Sequence, residues 1–472
     1  MTCVPAPNMI YFPGDIPGKV ALMLDADDFR TLFTEVLPGE LIDEFAVEFN
    51  MVERERKVEI RALVRALILA ASTPGGGLQA DALRAYLEMN VAGISRAAFY
   101  KRFDERLERL MEKLAVHAMT YAATLKVDLP GILGGVKDWW IVDSETAKLR
   151  NALKNELPGC GDYAAIKVHK TISVGTGAAI RYHFSPAKEH DSLHLDIDES
   201  WRGYGLLIDL GYASLARLAA CKEHGVTFVI RLKENWKPKV DHIARGTVNK
   251  TFLAGSDLDA LIEDDVLVLD DKVIDMDVKV GTGSRQLSLR LVGIPTPKGY
   301  CFFLTNLPPR FGPWQVGDLY RIRWEVELSM KLDKSIHRLD ESKATKTCSV
   351  KTMLHASLLA STITAIAVHM HHLETRPKPG EAREVAPWHP MQVARVLHRQ
   401  ADIIAHALEL EDLQEVERAR HGWEFLAFAI NKQAVDPNWR RRPSTLDVLR
   451  GCKKSPPRKS VKRDSHSKSL VK

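Results

Sequence analysis

Residues 319–334 read LYRIRWEVELSMKLDK. At about 100° per residue, Tyr320, Arg323, Glu327 and Lys334 fall in one helical stripe about 60° wide. Lys331 and Arg338 extend it. Trp324, Val326, Leu328, Met330 and Leu332 cover much of the remaining circumference, so the flanks suit burial. One carboxylate among cations and a phenol fits two readings. A solvated face would use Arg323–Glu327 and Glu327–Lys331 as i,i+4 pairs. A helix buried on its flanks rarely keeps so many charges in one stripe without a use for them. The same stripe would let the acid hold a metal while its neighbours grip phosphates.

Working outward, two more acids follow apolar runs: Asp143 after WWIV and Asp209 after GLLI. A carboxylate at a strand's carboxyl end sits at the sheet rim, where α/β proteins place ligands. Two such acids on neighbouring strands repel unless a cation lies between them. Mg²⁺ takes one or two carboxylates and keeps waters for a phosphate. Leu210-Gly211-Tyr212 then offers a tight exit from the strand. Either acid alone also fits a turn opener or helix N-cap. Around them, 166–174 and 179–184 read as a hairpin joined by Gly175-Thr176-Gly177, 212–224 as a helix and 226–232 as a strand. This alternation predicts an α/β core.

Residues 25–125 read as mostly helical. The stretch from Leu78 through Asn90–Gly93 to the helix opening at Ser95 has a helix-turn-helix layout. Arg96, Lys101 and Arg102 there fit a DNA-reading helix or the solvated face of a plain helical hairpin. The spacing divides the chain into a helical N-terminal region (1–130), for which DNA binding is one of the two readings, a core in two parts (131–234 and 314–375), a β-rich insertion (235–313), a helical C-terminal region (376–438) and a basic tail (439–472). The helix in the second core part is expected over 319–339.

The spacing Tyr-x2-Arg-x3-Glu-x6-Lys resembles the YREK motif of DDE transposases of bacterial insertion sequences, the insertion-sequence-four type. The context is similar too. Asp143-Ser144, Asp209-Leu210-Gly211-Tyr212, FVIRLKEN (228–235), the β-rich block and Thr305-Asn306-Leu307 precede Tyr320 in the family's order. The first motif departs from it, because Glu145 stands between Ser144 and Thr146; Asp138 and Glu145 therefore stay open as first acids beside Asp143. The motif spacing selects Glu327 over Glu325 as the third.

The resemblance implies a ribonuclease-H-like catalytic core interrupted by the insertion. Asp143, Asp209 and Glu327 would be the catalytic, metal-binding triad for two Mg²⁺ ions, with Mn²⁺ able to substitute. Tyr320, Arg323 and Lys334 would grip phosphates, with Lys331, Arg96, Lys101 and Arg102 as further DNA contacts. The partners implied are double-stranded DNA, as terminal inverted repeats and target, and a second copy of the chain in a synaptic homodimer. Some members flip a base against an aromatic; Trp236, Tyr300, Phe302, Phe303 and Trp314 are the candidates. The competing readings are a catalytically silent DNA-binding protein of the same fold and a metal-dependent nuclease.

Bulk properties constrain less. The 472 residues carry 66 Lys+Arg and 61 Asp+Glu, net +5. From Trp439 onward there are twelve Lys/Arg and two Asp/Glu, so the tail is +10 and the rest −5. That composition reads as disordered, with a capacity for non-specific DNA attraction. None of the six cysteines forms a CxxC pair, which argues against a zinc ribbon or dithiol site. No signal peptide is legible, and the longest apolar helical stretch, about 356–368, is short of a membrane span. A cytoplasmic, nucleoid-associated protein without a membrane partner is expected.

Overall fold

The computed structural model describes residues 24–51, 58–72, 79–89, 93–127, 129–283, 286–324, 333–334, 343–376, 385–439, 446 and 449–450. Six helices come first: α1 (Ala26–Val36), α2 (Gly39–Glu48), α3 (Ile60–Ser72), α4 (Gln79–Glu88), α5 (Arg96–Tyr100) and α6 (Glu105–Thr124). Their starts follow from side-chain caps that satisfy the free N–H groups of the first turn. Asp25 and Asp28 form a capping box, Ser95 Oγ accepts from Ala98 N–H, and Asp104 accepts from the N–H groups of Arg106 and Leu107. The Ser95 helix begins where expected but ends after five residues, too short to lie along a groove as the long second helix of a helix-turn-helix. Arg96 folds back over the Tyr100 ring at 5.2 Å, and Lys101 is exposed.

The next elements build a ten-stranded sheet. It contains β1 (Trp139–Leu149), β2 (Ala164–Ser173), β3 (Ala179–Pro186), β4 (Gly205–Ile208) and β5 (Thr227–Arg231). It also takes in β6 (Lys239–Arg245), β8 (Ser256–Asp257), β10 (Ile274–Val280), β11 (Leu287–Thr296) and β12 (Gly299–Thr305). The strand order is β3-β2-β1-β4-β5-β12-β11-β10-β6-β8. β2 is antiparallel to β1 and to β3, while β4 is parallel to both β1 and β5. The short pair β7 (Thr247–Val248) and β9 (Leu267–Val268) stands apart. α7 (Leu215–Glu223) returns the chain from β4 to β5, and α8 (Leu258–Glu263) follows β8.

The β-rich block continues the main sheet, because β12 pairs antiparallel with β5. Thr305 and Asn306 make that join. Thr305 Oγ1 donates to Phe228 O at 2.6 Å; Asn306 accepts from Phe228 N–H and donates to Val226 O, both at 2.8 Å. The Asn side chain thus continues the ladder after the strand ends. Arg290 on β11, itself buried, pairs with Asp275 on β10 at 2.7 Å and donates to Phe311 O at 2.8 Å. The block is thereby tied to the segment that leads into α9 (Pro313–Arg321).

The last helices are α10 (Thr347–Thr375), α11 (Pro390–Arg399), α12 (Ala401–Asp412) and α13 (Val416–Gln433). They share one apolar core with α1 to α6, which includes Phe29, Leu63, Phe99, Leu107, Ile363 and Trp423. Helical segments from the two ends of the sequence therefore pack together. α10 is longer than the apolar run suggested. By length and composition it could cross a membrane, but 78% of its most apolar window is buried inside the protein. His369 there donates from Nε2 to Lys126 O at 2.9 Å, and His371 stacks on Trp388.

Two corrections concern the ends of elements. The helix expected over 319–339 begins earlier, at Pro313. Its ladder is interrupted at Ile322, whose N–H bonds to Leu319 O in a tightened last turn. The basic tail is ordered in part, because Leu446 and Leu449 pack on the sheet's core and Arg450 donates to Gly175 O at 3.0 Å. Those leucines give the segment apolar surface that the charge count concealed. Arg440, Arg441, Arg442 and residues 451–472 lie outside the described residues.

Candidate active site

Asp143 lies within β1. The strand does not end there, because β2 goes on pairing with β1 as far as Leu149. What ends is the parallel partner: Val142 opposite Ile208 is the last pair of β1 with β4. Asp143 and Asp209 are the next residue on each strand, so both acids stand at the carboxyl edge of β4. Asp209 also caps the following 3-10 turn, where its Oδ2 accepts from Gly211 N–H at 3.1 Å. Capping and site-building are compatible here, because Oδ1 is left for the Arg323 guanidinium.

Arg323 fills the space between them. Its Nη1 is 3.4 Å from Asp143 Oδ2 and 3.6 Å from Asp209 Oδ1, and its side chain is 15% exposed. Burial, with the Asp209 charge nearby, raises the Asp143 pKa; the Ser144 N–H and the Arg323 charge oppose that shift. Tyr320 is buried, and its hydroxyl reaches Ile208 O at 3.5 Å. This holds α9 against the end of β4. Burial also pushes the Tyr320 phenol up to about 12.

Lys334 reaches a different acid, Glu145, at 3.5 Å. Glu145 is buried with Lys170 and Asp333. Lys170 lies 3.5 Å from Glu145 and forms a close ion pair with Asp333. Burial opposes the charge on Lys170, but the Asp333 and Glu145 carboxylates outweigh it and hold the amine above its ordinary value. Burial raises the Glu145 pKa. Glu145 therefore belongs to a buried ion network that fixes residues 333–334 to β1 and β2. Lys170 was not singled out in the sequence, although a lysine inside AAIKVHKTIS was a visible signal.

Asp138 is also accounted for. It is buried at the start of β1, where it accepts from Trp139 N–H at 2.7 Å, Gly175 N–H at 3.0 Å and the Ser173 hydroxyl. Burial raises its pKa from 3.8 to about 6. A carboxyl raised in the folded state stabilises it below the unfolded pKa, and that contribution is lost as pH rises through the folded value. Asp138 should thus cost about 3 kcal/mol above pH 6 relative to pH below 4. Asp138→Asn is expected to flatten the stability profile across that window, measured as urea midpoints at pH 4, 5, 6 and 7. Parallel profiles for the two proteins would contradict this.

Asp191 stands beside the cluster. Its Oδ1 accepts from Ser144 Oγ at 3.0 Å and Lys167 Nζ at 2.9 Å. A Cβ on Gly211 would lie 3.2 Å from Asp191 Oδ2 and 3.6 Å from Asp209 Oδ2, so a larger residue there would press on the Asp191 carboxylate. Glu327 and Lys331 lie outside the described residues. Arg96, Lys101 and Arg102 sit in the helical layer at α5. Of the aromatics, Tyr300, Phe302 and Phe303 are buried in the sheet's cores, whereas Trp314 is 38% exposed and Trp324, beside Arg323, is 60% exposed.

Residues 136–363 match the family described as Transposase DDE domain, a span that contains both aspartates and Arg323. Over that span the chain is similar to DDE transposases. Its relatives are transposases of bacterial insertion sequences. It is 24% identical over 390 residues, 71% of this chain and 80% of the relative, to the transposase for insertion sequence element IS231C of Bacillus thuringiensis subsp. berliner. It is 22% identical over 315 residues, 57% of this chain and 66% of the relative, to that for element IS1151 of Clostridium perfringens. A structural likeness is to the piggyBac transposase synaptic complex with hairpin DNA, at TM-score 0.43 and 11% identity, covering 83% of this chain and 84% of that one.

Proposed function

We propose that this protein is a transposase that cuts and joins the ends of its element in a ribonuclease-H-like site of the YREK type. The observation that carries the reading is the pair Asp143 and Asp209, aligned across β1 and β4, with the Arg323 guanidinium between them. The strand order β3-β2-β1-β4-β5, with only β1, β4 and β5 mutually parallel, supports that core. So does the Tyr320 and Arg323 placement against its edge. The residue ranges read from the sequence remain the domain division proposed.

Two carboxylates this close need a positive partner, and a set of hard oxygen donors fits Mg²⁺, with Mn²⁺ as substitute. Asp143 and Asp209 would hold the metal together with Glu327. Bound there, it supplies charge stabilisation to attack on a DNA phosphate. Arg323 keeps the two acids together in the free protein, and its planar fork suits a phosphate once DNA enters. Tyr320 fixes the helix that leads into Arg323. Lys334 reaches DNA from beside Glu145, and Lys331, Arg96, Lys101 and Arg102 add backbone contacts. Trp314 and Trp324 offer exposed rings on which an unpaired base would stack. The partners are the terminal inverted repeats, target DNA and a second copy of the chain, and the setting is the bacterial nucleoid.

Arg323→Ala is expected to lower Mg²⁺-dependent end processing by about a hundredfold, the scale of one lost charge-stabilising group. Binding to unrelated duplex should change little. Labelled element ends, a target plasmid and a gel-shift assay measure both. Equal losses would remove the specific role of Arg323. Nicked ends without joined products from the unaltered protein would favour a nuclease.

A further inference from the structure

Three histidines outside the acid pair gather on the sheet beside it. His169 on β2 stands directly opposite His183 on β3, and His194 follows the 3-10 turn Asp191–Leu193. Ring centroids are 4.5 Å apart for His169 and His183, 4.3 Å for His169 and His194, and 5.1 Å for His183 and His194. One ring nitrogen from each lies within 4.8 Å of the others. The DNA chemistry above uses none of them.

We propose that His169, His183 and His194 bind a divalent transition-metal ion of the zinc class at a site separate from the carboxylates. Three imidazoles are a donor set that zinc favours and Mg²⁺ does not. Partners for the outer ring nitrogens lie close by, although the His194 Nε2 contact with Glu189 is not aligned as a hydrogen bond. His169 Nδ1 is 2.7 Å from the Tyr212 hydroxyl, and His194 Nε2 is 2.9 Å from Glu189 Oε2. Metal-bound histidines use such partners on the nitrogen away from the metal. His169 Nε2 and His194 Nδ1 are then the ligating atoms.

His169 Nε2 now meets Ser185 Oγ at 2.9 Å, but that hydroxyl has a second acceptor, Pro186 O, at 3.3 Å. It can turn away without losing its hydrogen bond. Burial lowers the His169 pKa to about 3, so the ring is a neutral donor. The His169 and His183 rings are nearly parallel, at 9°. His194 also stacks on His169, at 28°. A metal lies in the plane of each ring it binds, so capture requires both the exposed His183 and the half-buried His194 to rotate about their side-chain bonds. Tyr212 closes the Asp209-Leu210-Gly211-Tyr212 turn, so a bound ion braces that turn through His169.

The test uses the full chain purified without a histidine tag, stripped with chelator, loaded with Zn²⁺ in excess Mg²⁺ and desalted. Metal content is then measured by mass spectrometry, and Co²⁺ absorption reports the geometry. One zinc per chain is expected in the unaltered protein and equally in Asp143→Asn/Asp209→Asn. His183→Ala and His194→Ala should each weaken Zn²⁺ binding by more than about a hundredfold, and Glu189→Gln by about tenfold. Zinc should raise the melting temperature of the unaltered protein and not of His183→Ala. Retained affinity in both histidine variants would overturn the proposal. So would an unaltered chain that keeps no zinc, which would leave the rings as a packing stack.

Discussion

Asp143→Asn or Asp209→Asn is expected to reduce Mg²⁺-dependent end cleavage by about a thousandfold or more. Several kcal/mol of transition-state charge stabilisation pass through a metal in such a site, and each 1.36 kcal/mol is tenfold in rate. Asn keeps the shape and the cap to Gly211 N–H but gives up the charge that holds a cation. Binding to the element's ends should persist in a gel shift. A stability readout separates lost chemistry from lost folding. The Asp143 pKa is raised by burial and by Asp209, so its ionised form costs stability once pH exceeds the folded pKa. At neutral pH without metal, Asp143→Asn should therefore unfold at a higher temperature than the unaltered chain. Near-normal cleavage in either variant would remove that residue from the catalytic set.

Lys170→Met should be the most damaging change outside the acid pair. It leaves Asp333 and Glu145 buried with the central cation gone, and removing one partner from a buried ion group costs about 3–5 kcal/mol. The loss should appear as a lower urea midpoint. It should also reduce end cleavage, because Asp333 adjoins Lys334 and anchors the segment after the proposed third acid. Lys170→Met/Asp333→Leu should recover most of the stability, since Lys334 still faces Glu145. An unchanged midpoint in the single variant would show that the network is not holding this part of the fold.

Local patterns made much of this legible. The β2–β3 hairpin, β4 and α10 follow from apolar runs bounded by Gly, Pro and polar residues, and those signals act over a few residues. Ser95 likewise announced its helix, though not how soon it would end, because Phe99 is drawn into the helical core. The β-rich block was visible as strands but not as a continuation of the main sheet. Strand pairing between β5 and β12 depends on hydrogen bonds between residues more than seventy positions apart.

The same division runs through the site. By itself, the sequence determined the acids that follow apolar runs, Asp143 and Asp209, and the stripe that aligns Tyr320 with Arg323, because strand and helix periods are local. Only the tertiary structure decided what those groups meet. The register of β1 against β4 sets the two acids side by side, and the packing of α9 brings Arg323 between them. Lys170, unremarked in its strand, becomes the centre of a buried ion network. His169, His183 and His194 come from three separate elements and converge only once the sheet is formed. Charges and ring nitrogens interact through distance, and for residues far apart in the chain that distance is fixed by folding.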